Sequence, residues 1–374
     1  YQEKERKKKL PVKIKKGNIM IDIIRFLVVS LLVNGCSSES AIPIAVIHVG
    51  PHKTGSSWFQ KLIFHTFLND LEKENYYHIF KTEVEIKGTQ NRDLAMCLSG
   101  RVIKNCTNVP SLYRDDIKNH YSLNHNIILS SEEFSADTLN FPEFFSLIEG
   151  FDVYVLTVYR DYASSFPSFH NTIYRLSQVR ESFPAFFRAC LNNQHCMHIA
   201  TVEETVKRFS KYTSLDKIKI FDYNGIIAEN EDVAFALLSH GFPRLSESFL
   251  DTARKYIEKI KSEKGVYENV RDMLQQVDLY SFAVEHDHRT PLKFSTCIRQ
   301  FESLSKSLHG LPLDCLKDDE YQLLIELALS EDNKLRKNYE KIILYGNKTA
   351  NIKRINEQVS SDVLCALDKK ELAA

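Results

Sequence analysis

The chemistry of this chain is concentrated in one short stretch, VIHVGPHKTGSSWFQ, residues 46–60. An apolar run ends at Gly50, a loop follows that carries Lys53, and small hydroxylated residues (Thr54, Ser56, Ser57) lead into a helical pattern. A strand, a glycine-containing turn and a helix start together present backbone N–H groups and a positive dipole end to an anion. Gly50 and Gly55 have the spacing of a G-x-x-x-x-G phosphate-binding loop, in which an ATPase places its lysine directly after the second glycine. Ser56 stands in that place here, and the ammonium of Lys53 arises from inside the loop, two positions before Gly55. The expected ligand is therefore a phosphate-bearing one held by a loop lysine. No convincing acidic Mg²⁺ ligand ends a later strand, because Asp152 precedes the strand it belongs to.

Two more stretches carry reactive groups. FDVYVLTVYRDYASSFPS places Arg160 at the end of an almost continuously apolar run, with Ser168 eight positions on. A phosphate monoester takes the guanidinium fork for charge and geometry, and a hydroxyl can fill another of its oxygens. Pro167 restricts Phe166 and disfavours a helix interior, so Ser164 and Ser165 stand as alternatives to Ser168. NHNIILSSEEFS ends a short β-rich run in Ser130, Ser131, Glu132 and Glu133. Two readings are open for the acids. Mutual repulsion and burial could raise one carboxyl and make it a general base, with Glu132 preferred. Alternatively both are acids of a helix N-terminus capped by Ser131. His52, next to Lys53, is a second candidate base or a solvated loop residue. CLNNQHCMH, residues 190–198, has the ingredients of a zinc site, but no second cluster joins it, so a disulfide or an ordinary loop is expected.

These groups need elements to hold them. AIPIAVIHVG reads as a strand, and residues 56–70 follow with Phe59, Leu62, Ile63 and Phe67 at helical spacing. Ile127–Leu129 reads as a short strand, and Val153–Tyr159 as one buried on both faces in a parallel sheet. EETVKRFSKYTSLDKIKIFDY reads as helix, turn and a further strand over Lys217–Phe221. Strands separated by helices predict a doubly wound α/β domain, taken as residues 40–374, with a mostly helical remainder from about Glu231. The charged segment at 250–279 fits a solvated outer face. Apolar content of 43% suffices for a packed core, and 49 basic against 49 acidic residues argue against a nucleic-acid binder.

PHKTGSSW resembles the 5′-phosphosulfate loop of PAPS-dependent sulfotransferases, P-K-[ST]-G-[ST]-[ST]-W, with His52 inserted before the lysine. VYRDYASSFPS resembles that family's second signature, an arginine at a strand end with a serine eight residues later, which together bind the 3′-phosphate. KIFDY is similar to a later family strand, which would bring Tyr223 to the cofactor cleft. The R-K-G segment of the cytosolic members is not found, which points to a carbohydrate or membrane-type branch. The resemblance implies a three-layer, P-loop NTPase-like α/β fold, with a central parallel sheet flanked by helices and a helical C-terminal region. It implies PAPS as co-substrate, no metal, and an acceptor hydroxyl on a glycan. Lys53 would stabilise charge on the leaving phosphate oxygen. Thr54, Gly55, Ser56 and Ser57 would hold the 5′-phosphate, and Arg160 and Ser168 the 3′-phosphate. Trp58 would lie near the adenine, or else serve as a core residue. Two alternatives are an ATP-dependent, kinase-like phosphotransferase and an inactive nucleotide-binding scaffold of the same fold.

The first residues differ from the rest. Residues 1–18 form a basic tail expected to be disordered, and residues 19–35 read as a signal peptide or signal anchor. Secretory entry, with a Golgi-lumenal domain and possible membrane anchoring through this segment, is the expectation. The eight cysteines agree, since Cys97 and Cys106, and Cys190 and Cys196, are close enough for short disulfide loops. Asn105 and Asn347 begin N-glycosylation triplets.

Overall fold

The computed structural model describes residues 42–51, 54–79, 91–100, 106, 108–163, 165–166, 169–170, 183–193, 201–264, 313–315, 317–346 and 365–367. The chain divides into a unit Tyr1–Ile42 and a unit Pro43–Ala374. All of the described helices and strands belong to the second unit.

Its first strand, β1 (Ile44–Val49), is buried along its whole length. Helix α1 (Ser56–Lys61) follows and runs through a π-helical turn, Leu62–Thr66, into α2 (Leu68–Lys73). The helical spacing expected over 56–70 is present, with that interruption. Leu62, Ile63 and Phe64 of the π-helical turn are all buried in the core. Next come β2 (Tyr76–His78), α3 (Arg92–Leu98), α4 (Val109–Ser122) and β3 (Asn126–Ser131). A 3₁₀ turn (Glu132–Ser135), α5 (Phe141–Leu147) and β4 (Asp152–Tyr159) complete the first half. Asp152 does not precede its strand but begins it, paired with Ile44, and its carboxylate takes the Lys217 ammonium. That ion pair sits at the N-terminal end of the sheet, away from the loops.

The second half contains α6 (Phe183–Asn193), α7 (Val202–Phe209), β5 (Ile218–Asp222), α8 (Tyr223–Ala228), α9 (Val233–Gly241) and α10 (Glu247–Lys264). Strand β6 (Leu313–Cys315), the long α11 (Asp318–Tyr339), β7 (Ile343–Leu344) and β8 (Cys365–Leu367) follow, β6 pairing antiparallel with β8. Within α10 the described helix ends at Lys264, and the rest of the charged segment expected to 279 lies outside the described residues.

The main sheet has six strands in the order β2-β3-β1-β4-β5-β7, every pair parallel. Side chains alternate across it. Ala45, Ile47, Val49, Ile127, Leu129, Val155 and Ile220 face one core, shared with residues of α3, α4, α5 and α7. Ile44, Val46, Ile128, Leu156, Val158 and Phe221 face the other, shared with residues of α1, α2, α9 and α10. A central strand covered on both sides has to be apolar on both sides, which is why β1, β3 and β4 are nearly continuous aliphatic runs. The result is the expected three-layer α/β arrangement with a helical C-terminal region. A third cluster joins Phe186 and Phe187 of α6 to Leu324 and Ala328 of α11.

Cys97 and Cys106 form a disulfide between α3 and the approach to α4. Asn105, Asn347 and Cys196 lie outside the described residues. Among the described residues no helix is long and apolar enough to cross a membrane, and residues 1–18 and 19–35 lie outside them.

Helix α11 is tied to the sheet through Arg336, which donates to Asp222 Oδ2 at 2.7 Å and to Asp332 Oδ2 at 2.8 Å. Asp222 is fully buried and also caps α8 through the Asn224 and Gly225 amides. Arg336→Met should therefore strand a buried carboxylate and lower the stability by about 3–5 kcal/mol in urea unfolding. Adding Asp222→Asn removes the stranded charge and should restore part of the loss.

Candidate functional site

The connection from β1 runs to β2 on one side of the sheet, and that from β4 runs to β5 on the other. Since β1 and β4 are neighbours, this is the topological switch point of the sheet, outside whose C-terminal strand ends open α/β sheets bind ligands. The register sets what meets there. Val49 pairs with Ser131 of β3 on one side and Thr157 of β4 on the other. Thr157 Oγ1 donates to the Gly50 carbonyl at 2.9 Å. A Cβ on Gly50 would lie 2.9 Å from the Glu132 carbonyl oxygen and 3.2 Å from Ser135 Oγ, so the loop passes against the turn after β3 with no room for a side chain.

Within the loop, Thr54 and Ser56 are buried and Ser57 is exposed. Thr54 Oγ1 donates to the Pro51 carbonyl at 2.9 Å and lies 3.3 Å from Ser56 Oγ. Gly55 turns the chain into α1 at φ 87°, a left-handed conformation that suits glycine. Its carbonyl accepts the Trp58 and Phe59 amides. Trp58 is half-buried against the α9 side of the core, and its indole N–H donates to Asp232 Oδ1 at 3.3 Å. The same Asp232 caps α9 through the Ala234 and Phe235 amides. Trp58 thus has the core-edge packing that was one of its two expected roles. Lys53 and His52 lie outside the described residues.

After β3, Ser131 Oγ accepts the Glu133 amide at 3.2 Å, the capping arrangement expected as one of the two readings of these acids. Glu133 lies 3.9 Å from Arg92 on α3. Glu132 is half-buried, and its charge is felt by His48 on the neighbouring strand. Burial pulls His48 down from an ordinary 6.5 to about 4, against the opposing effect of Glu132. Asn91, fully buried, clamps the end of β3 by accepting the Ser130 amide at 2.7 Å and donating to the Ser130 carbonyl at 2.9 Å.

After β4, the Arg160 guanidinium lies over the Tyr223 ring, 4.6 Å from its centroid. Tyr159 pairs with Asp222, so Arg160 and Tyr223 leave adjacent strands at the same level. Ser164 and Ser168 lie outside the described residues; Ser165 donates its amide to the Asp161 carbonyl at 2.9 Å. Four neighbouring strand ends thus carry Glu132, Gly50 with the described part of its loop (Thr54–Ser57), Arg160 and Tyr223.

Directly after Arg160 in the chain, Asp161 belongs to a group that the sequence did not single out. Asp161 is buried and accepts from Asn224 Nδ2. Glu331 of α11 lies close to Asp161 and Asp332 and hydrogen-bonds Tyr162. Burial first, then the Asp161 charge, push Glu331 from an ordinary 4.5 up to about 8, with the Tyr162 hydrogen bond acting the other way. Burial likewise raises the Tyr159 phenol well above its usual value, with the Glu331 charge adding to it.

Comparison of the chain with family models, with curated proteins and with solved structures finds no match. Among the described residues no group of three or more His, Cys, Asp or Glu could hold a metal ion. The missed residues left a faint signal in the sequence. His48 and Gln60 are polar positions inside otherwise apolar patterns, and Asp161 directly follows Arg160.

Glu331 predicts a pH dependence. Its folded value is above its unfolded one, so its favourable contribution is complete below about 4.5, shrinks as pH rises and is lost above about 8. Urea unfolding between those limits should show the wild type losing stability relative to Glu331→Gln, at no more than about 1.4 kcal/mol per pH unit.

Proposed function

We propose that this chain is a PAPS-dependent sulfotransferase acting on an acceptor hydroxyl, with a glycan as the substrate class. The observation that carries the reading is the meeting of a glycine-bounded loop, a carboxylate and an arginine on adjacent C-terminal strand ends at the switch point of a parallel sheet. The residue types suit a ligand with two separated phosphates. The loop after β1 would take the 5′-phosphate and Arg160, one strand over, the 3′-phosphate. Tyr223 supports the guanidinium plane from one face, which favours edge-on, forked bonding to a phosphate monoester.

When bound, the phosphosulfate supplies an SO₃ group whose sulfur–oxygen bond to phosphate breaks as a bond to the acceptor oxygen forms. Lys53 would neutralise the charge that builds on the departing phosphate oxygen. Thr54, Ser56 and Ser57, with the loop amides, would orient that phosphate. Glu132 would accept the acceptor's hydroxyl proton, so the charge removed from one oxygen is balanced at a carboxyl. Glu133, near Arg92 and on the capped turn, is the less suited of the two acids. A secretory setting, with residues 19–35 as signal peptide or anchor, belongs to the same proposal, and a disulfide such as Cys97–Cys106 is of the kind that persists in oxidising compartments.

Adenosine 3′,5′-bisphosphate should stabilise the protein in thermal-shift and calorimetric titrations without Mg²⁺. Arg160→Ala should weaken that binding roughly 10- to 100-fold, the value of a charge-assisted phosphate contact. Lys53→Ala should retain the fold and lose transfer of labelled sulfate to a panel of glycans, tyrosine peptides and small alcohols. Stabilisation by ATP and Mg²⁺ alone would favour the phosphotransferase reading and overturn this one.

A further inference from the structure

Two polar side chains sit where the packing calls for apolar ones. His48 lies on the face of β1 that carries Ile44 and Val46 and is 0% exposed; Gln60 lies on α1 beside Phe59 and is also 0% exposed. Both reach the same hydroxyl. His48 Nδ1 is 2.8 Å from Ser130 Oγ, and Gln60 Nε2 donates to Ser130 Oγ at 3.0 Å. Phe59 closes the pocket with its ring 4.8 Å from the imidazole in an edge-on arrangement. Among the described residues, His48 Nε2 and Gln60 Oε1 have no hydrogen-bond partner.

An apolar pair of the same shape would avoid the cost of those unpartnered atoms, about 1–3 kcal/mol each. What the polar trio contributes instead is direction. Gln60 donates to Ser130, and Ser130 can donate in turn to Nδ1, which uses each group once and leaves the ring proton on Nε2. Ser130 itself cannot shift, because Asn91 holds both its amide and its carbonyl. Two residues on, the Glu132 backbone lies against Gly50. The contacts therefore close a circuit from β1 through His48 to Ser130, through the Glu132 turn to Gly50, along the loop into α1, and back through Gln60 to Ser130.

We propose that His48, Ser130 and Gln60 form a buried hydrogen-bond bridge that fixes the loop helix against the end of β3, and so sets the loop and Glu132 in register before any ligand enters. The functional part of this inference rests on the reading of the loop as a phosphate site. His48 is a positioning residue, since its own atoms are sealed from solvent. Its depressed basicity keeps the ring neutral across the working pH range, so the bridge does not titrate with the site.

The chain's single tryptophan, Trp58, lies two residues before Gln60 and reports on the loop helix directly. His48→Phe keeps the ring volume and removes the hydrogen bond; His48→Asn restores an acceptor near the position of Nδ1; Gln60→Met breaks the bridge from the helix side. In ligand-free protein, His48→Phe and Gln60→Met should make Trp58 more accessible to acrylamide without a matching fall in melting temperature. Adenosine 3′,5′-bisphosphate affinity should weaken about tenfold, the equivalent of one lost hydrogen bond. His48→Asn should recover most of both changes, and adding Ser130→Ala to the double variant His48→Phe, Gln60→Met, in which neither contact to that hydroxyl remains, should cause little further loss. Unchanged Trp58 quenching in His48→Phe and Gln60→Met overturns the bridge. So does equal loss in His48→Phe and His48→Asn that merely follows stability. If the wild type binds no bisphosphate, the phosphate-site reading falls, and the quenching series still decides the bridge.

Discussion

At the end of β1 the backbone of Gly50 runs so close to the turn after β3 that a Cβ there would stand 2.9 Å from the Glu132 carbonyl oxygen. Thr157 on the other side donates to the Gly50 carbonyl, so the first residue of the loop is held between both neighbouring strands. A loop gripped in this way has little freedom in where it departs the sheet. The positions of Gly55 and the start of α1 follow from that departure and from the packing of Phe59 and Leu62 below. Any side chain at position 50 would push the loop away from the Glu132 turn.

The same end of the sheet carries polar groups on both faces. On the α1 side are His48, Ser130 and Gln60; on the α11 side are Tyr159, Asp161, Asp222, Glu331, Asp332 and Arg336. Buried polar groups cost stability unless partnered, and several atoms in these groups have no partner among the described residues. Both sets lie at or near the C-terminal ends of β1, β3, β4 and β5. The opposite end of the sheet is held more simply, by the Asp152–Lys217 ion pair and by Asn126 accepting the Ile44 amide. The asymmetry suggests that polar burial here serves geometry rather than net stability.

The sheet was legible in the sequence because β1, β3, β4 and β5 are apolar runs separated by helical spacing, and burial on both faces leaves no other composition. The π-helical turn in the first helix was not, because Phe59, Leu62, Ile63 and Phe67 satisfy an ordinary helical period and only packing decides that Phe64 also turns inward. Gly50, Gly55 and Arg160 stood out as candidate site residues because local motifs carry them. His48 and Gln60 were not, because their meaning lies in Ser130, 82 and 70 residues away. Glu331 on α11 was hidden for the same reason, since nothing local marks it as a neighbour of Asp161. Ser131 shows the limit of a local motif: the same S-E-E stretch serves as a cap and as a carboxylate source, and the structure has the cap.

That cap bears on which acid does the work under the proposed reaction. Ser131 holds the Glu133 amide, and the Glu133 carboxylate lies toward Arg92 on α3, on the side of the sheet away from α1. Glu132 is instead the residue whose backbone touches Gly50 and whose charge reaches His48 on β1. The two acids are adjacent in sequence but have different neighbours: the Glu133 carboxylate lies near Arg92, and the Glu132 backbone lies against Gly50. A general base has to stand within hydrogen-bond reach of the oxygen it deprotonates, so position decides between chemically equivalent carboxyls. Under the proposed reaction, the proximity of the Glu133 carboxylate to Arg92 leaves Glu132 as the proposed base.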